Sequence, residues 1–309
     1  MRLEAISILL IGLVLLLVGS NFLVTSTERV ASHFLISGFV ASFFMIGVAT
    51  SAPEIFISIE SAIQDKTILA IGNAIGSNIS NIALVFCISI FFLKNKLSNM
   101  HLPLSSFIVM SIFILATFLL MYFDRYFNIT DSIIIILLFV VCMISMYKKG
   151  NDKKHTSNDK INMVNTFIYS LVGLTMLIYG SDYFIHGATE IAYLFGISAY
   201  TVGLTLTALG TSLPELAASI QSARKSRHDF IIGNIVGSNI FNIAIAMSIA
   251  GVINSAYINQ SELLRDITML LLCTFVFYFI IRTNNIFIKT VYSLTLVITY
   301  FIYISIILK

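Results

Sequence analysis

Charge is scarce in this chain. Of its 309 residues 58% are hydrophobic and only 11% are charged, against roughly 25% charged in an ordinary soluble domain. That shortage excludes a water-soluble globular protein. Short segments of alternating hydrophobicity are missing as well, which removes the transmembrane β-barrel. The three cysteines, Cys87, Cys142 and Cys273, form no C-x-x-C pair and read as apolar filler. The five histidines form no H-x-x-x-H pair, which disfavours a zinc-dependent intramembrane enzyme. No nucleophile stands paired with a base or a metal, so the reading is a protein that is not an enzyme and needs no cofactor. The net charge of +3 comes from basic residues in loops and points to no nucleic-acid partner.

What the chain has is long apolar runs near 20 residues, each able to span about 30 Å of hydrocarbon as a helix. Ten can be placed, at about 4–24, 34–62, 67–93, 102–122, 129–147, 163–185, 195–223, 229–254, 263–282 and 286–308. The fold class expected is an all-α polytopic membrane protein, with lipid as its surroundings. The first run has only Arg2 ahead of it and no small-x-small cleavage site, so it reads as a span rather than a signal peptide. If the ten helices alternate sides, 13 of the 18 basic residues collect on one side. The positive-inside rule makes that side cytoplasmic and puts both termini outside. The stretch Lys148 to Lys160 is the one polar segment of any length and reads as a cytoplasmic linker. The expected division is residues 1–147, a linker at 148–162, and residues 163–309, five helices on each side of the linker.

One polar motif occurs twice. Thr50 to Glu54 reads T-S-A-P-E and Gly72 to Asn81 reads G-N-A-I-G-S-N-I-S-N; Thr211 to Glu215 reads T-S-L-P-E and Gly233 to Asn242 reads G-N-I-V-G-S-N-I-F-N. The copies are 161 positions apart, and 18 of the 34 positions from Thr50 to Ala83 are identical to their counterparts. The register reaches upstream, where Gly19-Ser20 matches Gly180-Ser181. Five helices per copy force the second copy to enter the membrane from the opposite side, the arrangement of an inverted-repeat transporter.

Thr50 and Ser51 precede Glu54 by four and three residues, which on a helix places both hydroxyls on the carboxylate's face. Pro53 lacks an N–H, so the carbonyl of Ala49 loses its partner and a kink or break follows. Thr211, Ser212, Pro214 and Glu215 repeat this, with Gly210 as the freed carbonyl. Hydroxyl, carboxylate and backbone oxygens suit hard cations such as Ca²⁺ and Na⁺. On the next helix Asn73, Ser77 and Asn81 form a polar stripe, as do Asn234, Ser238 and Asn242. Gly72 and Gly76, like Gly233 and Gly237, form a G-x-x-x-G that admits a close neighbour. Asn78-Ile79-Ser80 fits the glycosylation pattern but lies in a span, and reads as chance. A carboxylate at mid-membrane costs about 2.5–3.5 kcal/mol even on the lenient insertion scale, and neither glutamate has a basic partner in its span. Glu54 and Glu215 are therefore read as cation ligands. Asp182, matched to Asn21, is a weaker candidate for an entry path.

With G-V-A-T-S-A-P-E and A-L-G-T-S-L-P-E ahead of the two G-N-x-x-G-S-N stretches, the chain resembles the sodium/calcium exchanger family, prokaryotic-type ten-helix members of the cation/calcium antiporter superfamily. The resemblance covers essentially the whole length. It implies four ion sites in a diamond between the repeats, and alternating access by sliding of the first and sixth helices across the other eight. By motif position, Glu54 and Glu215 would hold Ca²⁺. Thr50, Ser51, Ser77, Thr211, Ser212 and Ser238 would supply oxygens to flanking Na⁺ sites, as would the backbone carbonyls of Gly47 and Ala208. Asn81 and Asn242 would be the fourth-side polar groups. Many members that exchange Na⁺ for Ca²⁺ have aspartate where this chain has Asn242, so its formal site charge is −2 and one Ca²⁺ balances it.

The function expected is a secondary antiporter of a prokaryotic plasma (inner) membrane that exchanges Ca²⁺ for Na⁺, with no obligatory protein partner. H⁺-coupled exchange of Ca²⁺ or another divalent ion is the alternative. A passive cation channel, which usually needs several subunits around an axis, is the competing class.

Overall fold

Apolar residues dominate every face of most helices in this chain, so the helices must be covered by one another or by lipid. The computed structural model describes residues 2–93, 104–149, 161–196 and 210–307. In chain order the helices are α1 (Arg2–His33), α2 (Gly38–Thr50), α3 (Ala52–Ile63), α4 (Thr67–Phe91), α5 (Leu104–Asp124), α6 (Ile129–Lys149) and α7 (Met163–Leu194). There follow α8 (Leu213–Arg224), α9 (His228–Ile253), α10 (Gln260–Arg282) and α11 (Ile286–Ile307). Among the described residues seven helices are long and apolar enough to cross a membrane, eight when α2 and α3 are taken as one span bent by 43°. A further apolar stretch, Ile129–Ile144, lies in α6. Of the seventh span expected at 195–223, residues 195–196 form the turn that ends α7, and the rest is described from Gly210 onward. The molecule is a polytopic membrane protein of the all-α class.

Proline decides where the bent span breaks. Ser51 ends α2 and caps α3 with φ −81° and ψ 0°, and Pro53 occupies the first turn of α3. Ser212 takes φ −90° and ψ 5° ahead of Pro214 in α8, the same turn geometry 161 residues later. A proline in a first helical turn gives up an N–H that would be unpaired there anyway.

Two helices are longer than expected. α1 and α7 each run for 32 residues, about 48 Å at 1.5 Å per residue, where the apolar runs suggested ends near 24 and 185. They pack on one another along most of that length. They lie antiparallel along a seam of glycines: Gly12 faces Gly180 and Phe184, Gly19 faces Gly173 and Met176, and Gly187 faces Ala5 and Leu9. A Cβ at Gly19 would sit 2.8 Å from the carbonyl oxygen of Gly173, so backbone meets backbone there. The polar end of α1 is also anchored, since Lys225 donates to Thr25 at 2.7 Å and to Glu28 at 2.9 Å.

The core is built from α4 and α9, the two most deeply buried spans, and each packs on elements of the other half. α9 lies against α2, where Gly233 and Gly237 admit the backbone of Phe39 and Phe43. That fulfils the G-x-x-x-G expectation in the second copy. At Gly72 and Gly76 no described atom comes within 4 Å of an added Cβ, and the residues matched to Phe39–Phe43 fall at 200–204, outside the described residues. Both core helices loosen into a π turn at the same register, Asn81–Phe86 and Asn242–Met247. Cys87 and Ser248 donate to carbonyls five residues back, at Ile82 and Ile243.

Contacts between the halves sort the loops into two ends. At one, Glu28 pairs with Lys225 and with Arg227, which also pairs with Asp229. At the other, Asn254 donates to Asp65 at 2.8 Å, and the short strands β1 (Tyr126–Phe127) and β2 (Ala256–Tyr257) pair antiparallel. The alternation of spans read from the sequence assigns the same loops to the same ends.

Candidate functional site

Each break places a glutamate in the first turn of the helix that follows it, at the middle of the fold. Glu54 on α3 and Glu215 on α8 are both completely buried. They lie near enough to repel one another, with Ser77 facing Glu54 and Thr50 facing Glu215. None of the four carboxylate oxygens has a hydrogen-bond partner, and no described cationic side chain pairs with either glutamate. Buried ionisable groups in such a state are costly unless a ligand compensates them.

Neutral oxygens of the same two motifs are in the same condition. Ser51 and Ser212 at the breaks, Ser77 on α4, and Asn81 and Asn242 where the π turns begin each leave a buried side-chain oxygen unpartnered. With the carboxylates these are nine oxygens, and Ser80 Oγ of the first copy is a tenth in the same condition. Among the described residues no group of three or more His, Cys, Asp or Glu could hold a metal ion. The donor set is thus two carboxylates and several neutral oxygens, which suits a hard cation that must also leave.

One flank of the cluster is closed by its own hydrogen bonds. Thr50 Oγ1 donates back to the Ile46 carbonyl at 3.0 Å and lies 3.2 Å from both Asn234 Oδ1 and Ser238 Oγ. Ser238 Oγ reaches the Gly47 carbonyl at 3.4 Å. Asn234 completes the group by donating to Ser219 Oγ at 3.0 Å and to the Glu215 carbonyl at 3.3 Å. Thr50 and Ser238, from opposite motif copies, are therefore brought together, as is the Gly47 carbonyl. On the other flank Ser77, Ser212 and the Asn73 amide nitrogen are buried without partners. Thr211 is half-buried in the turn before α8, and Ala208 lies outside the described residues.

The carbonyl of Gly210, freed by Pro214, accepts a hydrogen bond from Ser181 of α7 at 2.7 Å. Ser20, the counterpart on α1, instead bonds back to its own helix at Leu17, 3.0 Å away. Asp182 is exposed on α7, and its counterpart Asn21 accepts from Gln221 at 2.8 Å.

Sequence reasoning missed Asn78 and Asn239. Both are buried at the crossing of α4 and α9 and bond to each other and to the two site asparagines. They stand one residue off the polar stripe in each copy of G-S-N. The signal was their repetition at the 161-residue offset, which Asn73, Ser77 and Asn81 share.

Comparison with known proteins bears on these residues. The chain matches the family described as sodium/calcium exchanger protein over residues 4–148 and again over 165–309. The two matches start 161 residues apart, the offset of the repeated motif. Membrane protein MJ0091 of Methanocaldococcus jannaschii is 31% identical over 247 residues, covering 78% of this chain and 79% of the relative. The sodium/calcium exchanger MaX1 of Methanosarcina acetivorans is 24% identical over 287 residues, covering 79% and 81%. A solved structure of the sodium-calcium exchanger NCX_Mj superposes with a TM-score of 0.82 at 27% identity, over 99% of each chain.

Proposed function

The chain belongs to the sodium/calcium exchanger family, and from that premise we propose that it is a secondary-active antiporter that moves Ca²⁺ against Na⁺. Glu54 and Glu215 hold Ca²⁺ between them at the centre. Thr50, Ser51, Ser77, Thr211, Ser212 and Ser238, with the carbonyls of Gly47 and Ala208, serve the Na⁺ that flank or replace it. Asn81 and Asn242 supply neutral oxygens on the fourth side. The observation that carries this reading is that both motif copies contribute buried carboxylate, hydroxyl and amide oxygens left without hydrogen-bond partners. Oxygens buried without donors are stable only when a cation, water or proton takes up their lone pairs.

The chain is organised as two inverted five-helix repeats, residues 1–147 and 163–309, joined by a cytoplasmic linker at 148–162, with both termini outside the inner membrane. Ions enter and leave by alternating access as α1 and α7 slide together over the rest. The glycine seam supports this, because it ties those two helices to each other along their length. In each state the kink carbonyls at Ala49 and Gly210 exchange partners. The Ser181 bond to Gly210, with Ser20 turned back on α1, is one such state.

A second reading is favoured by the asparagines at 81 and 242. With only two acidic groups, two protons would neutralise the site as one Ca²⁺ does, so H⁺ is a workable coupling ion. Radiolabelled Ca²⁺ uptake into proteoliposomes tests both. Uptake is expected to require an outward Na⁺ gradient. Uptake driven by a proton gradient alone would select the second reading, and uptake indifferent to every monovalent gradient would point to a channel and overturn both.

A further inference from the structure

Asn78 and Asn239 fix what the ion site presents to a cation. Asn78 Nδ2 donates to the backbone carbonyl of Asn239 at 2.9 Å, and Asn239 Nδ2 donates to the backbone carbonyl of Asn78 at 3.3 Å. A carbonyl can only accept, so in each side chain the nitrogen must face the partner's backbone and the oxygen must face the other way. Those oxygens meet the site asparagines. Asn242 Nδ2 lies 3.1 Å from Asn78 Oδ1, and Asn81 Nδ2 lies 3.1 Å from Asn239 Oδ1. An acceptor there demands a donor opposite. The amide nitrogens of Asn81 and Asn242 are thereby engaged, and their Oδ1 atoms are the ones left buried and unpartnered.

We propose that Asn78 and Asn239 are positioning residues that determine the site's specificity: they hold Asn81 and Asn242 so that a cation meets only oxygen, and they make positions 81 and 242 select an amide over a carboxylate. This rests on the ion-site reading above. A carboxylate at 242 has no donor and would set acceptor against acceptor at Asn78 Oδ1. Flipping Asn78 moves the conflict without removing it, because its oxygen would then face the Asn239 carbonyl. The network has one consistent orientation, and it keeps the formal charge of the site at −2. The arrangement has the logic of outer-shell partners that orient metal ligands, whose loss typically weakens metal affinity about 10–100-fold.

The test is a double-mutant cycle of Asn78→Ala and Asn242→Asp, read as the half-saturating Ca²⁺ concentration for uptake into proteoliposomes. Asn78→Ala alone frees the Asn242 amide to turn and should raise that concentration about tenfold or more. In the Asn242→Asp background the same substitution removes the opposed acceptor, so it should lower the concentration instead. An equal effect of Asn78→Ala in both backgrounds, or none in the parent, overturns the proposal. The mirror cycle, Asn239→Ala with Asn81→Asp, serves if the first does not yield folded protein. A parent that carries no Ca²⁺ would refute the ion-site reading instead. The network is then read from melting of the ion-free proteins, where Asn78→Ala should recover stability lost to Asn242→Asp, and no recovery overturns it.

Discussion

Replacing Glu54 with glutamine keeps the shape of the side chain and removes half of the site's formal charge. Two unit charges about 4 Å apart in a protein interior of effective dielectric about 20 interact by about 4 kcal/mol, and a divalent ion doubles that to about 8 kcal/mol. The amide oxygen retains part of this attraction, and water entering the mutant site restores more. If those together return half, about 4 kcal/mol is lost, or about a thousandfold in Ca²⁺ affinity. The ion-free protein should change in the opposite direction. Glu54 and Glu215 are buried, close together and unpaired, so removing one charge should stabilise that form by about 1–4 kcal/mol. Two measurements on Glu54→Gln check this: Ca²⁺ uptake in proteoliposomes, expected to vanish, and melting in detergent without divalent ions, expected to occur at a higher temperature than in the parent. Near-normal uptake, or a variant less stable than the parent when ion-free, would refute the reasoning.

Gly19→Val should separate α1 from α7, because even a Cβ there would lie 2.8 Å from the Gly173 carbonyl; a stability loss of about 1–3 kcal/mol with abolished flux is expected, by melting and by uptake. Ser181→Ala leaves the Gly210 carbonyl without its donor and should lower stability by about 1 kcal/mol, while Ser20→Ala, which breaks only a bond within α1, should change melting less. Cysteine at Ser226 should be labelled by an impermeant reagent only from the cytoplasm, and cysteine at Ser255 only from outside. The three native cysteines are buried and should give little background, and labelling of both engineered sites from one side would overturn the topology.

The parts of the site that lie on a single element are legible in the sequence. Glu54 announces itself because a carboxylate in an apolar run is expensive, and Pro53 marks the break because the ring removes an N–H. Helical spacing predicts Thr50 on the face of Glu54, but the helix breaks between them at Ser51 and Thr50 instead meets Ser238 and Asn234 on α9, a meeting that no spacing along one helix encodes. Asn78 illustrates the limit further. On α4 alone it is a polar residue beside the stripe, and only the crossing with α9 supplies the carbonyl that orients it. The added length of α1 and α7 is hidden because it depends on partners elsewhere in the chain: Lys225 holds the far end of α1, and Gly187 in the last turns of α7 packs on α1. The π turns are hidden too, since an extra residue per turn leaves no compositional trace.

Those π turns carry a record of descent. A turn of this kind holds one residue more than an α-helix of the same length, so each marks an insertion. Both begin at the motif asparagine, Asn81 and Asn242, and each is followed at the same position by a side chain, Cys87 or Ser248, that takes up a loosened carbonyl. Two independent insertions at one register are a poorer account than one insertion copied when the gene doubled. One copy alone could carry the widened helix and the asparagines, but the bonds of Asn78 and Asn239 need a second helix running the opposite way.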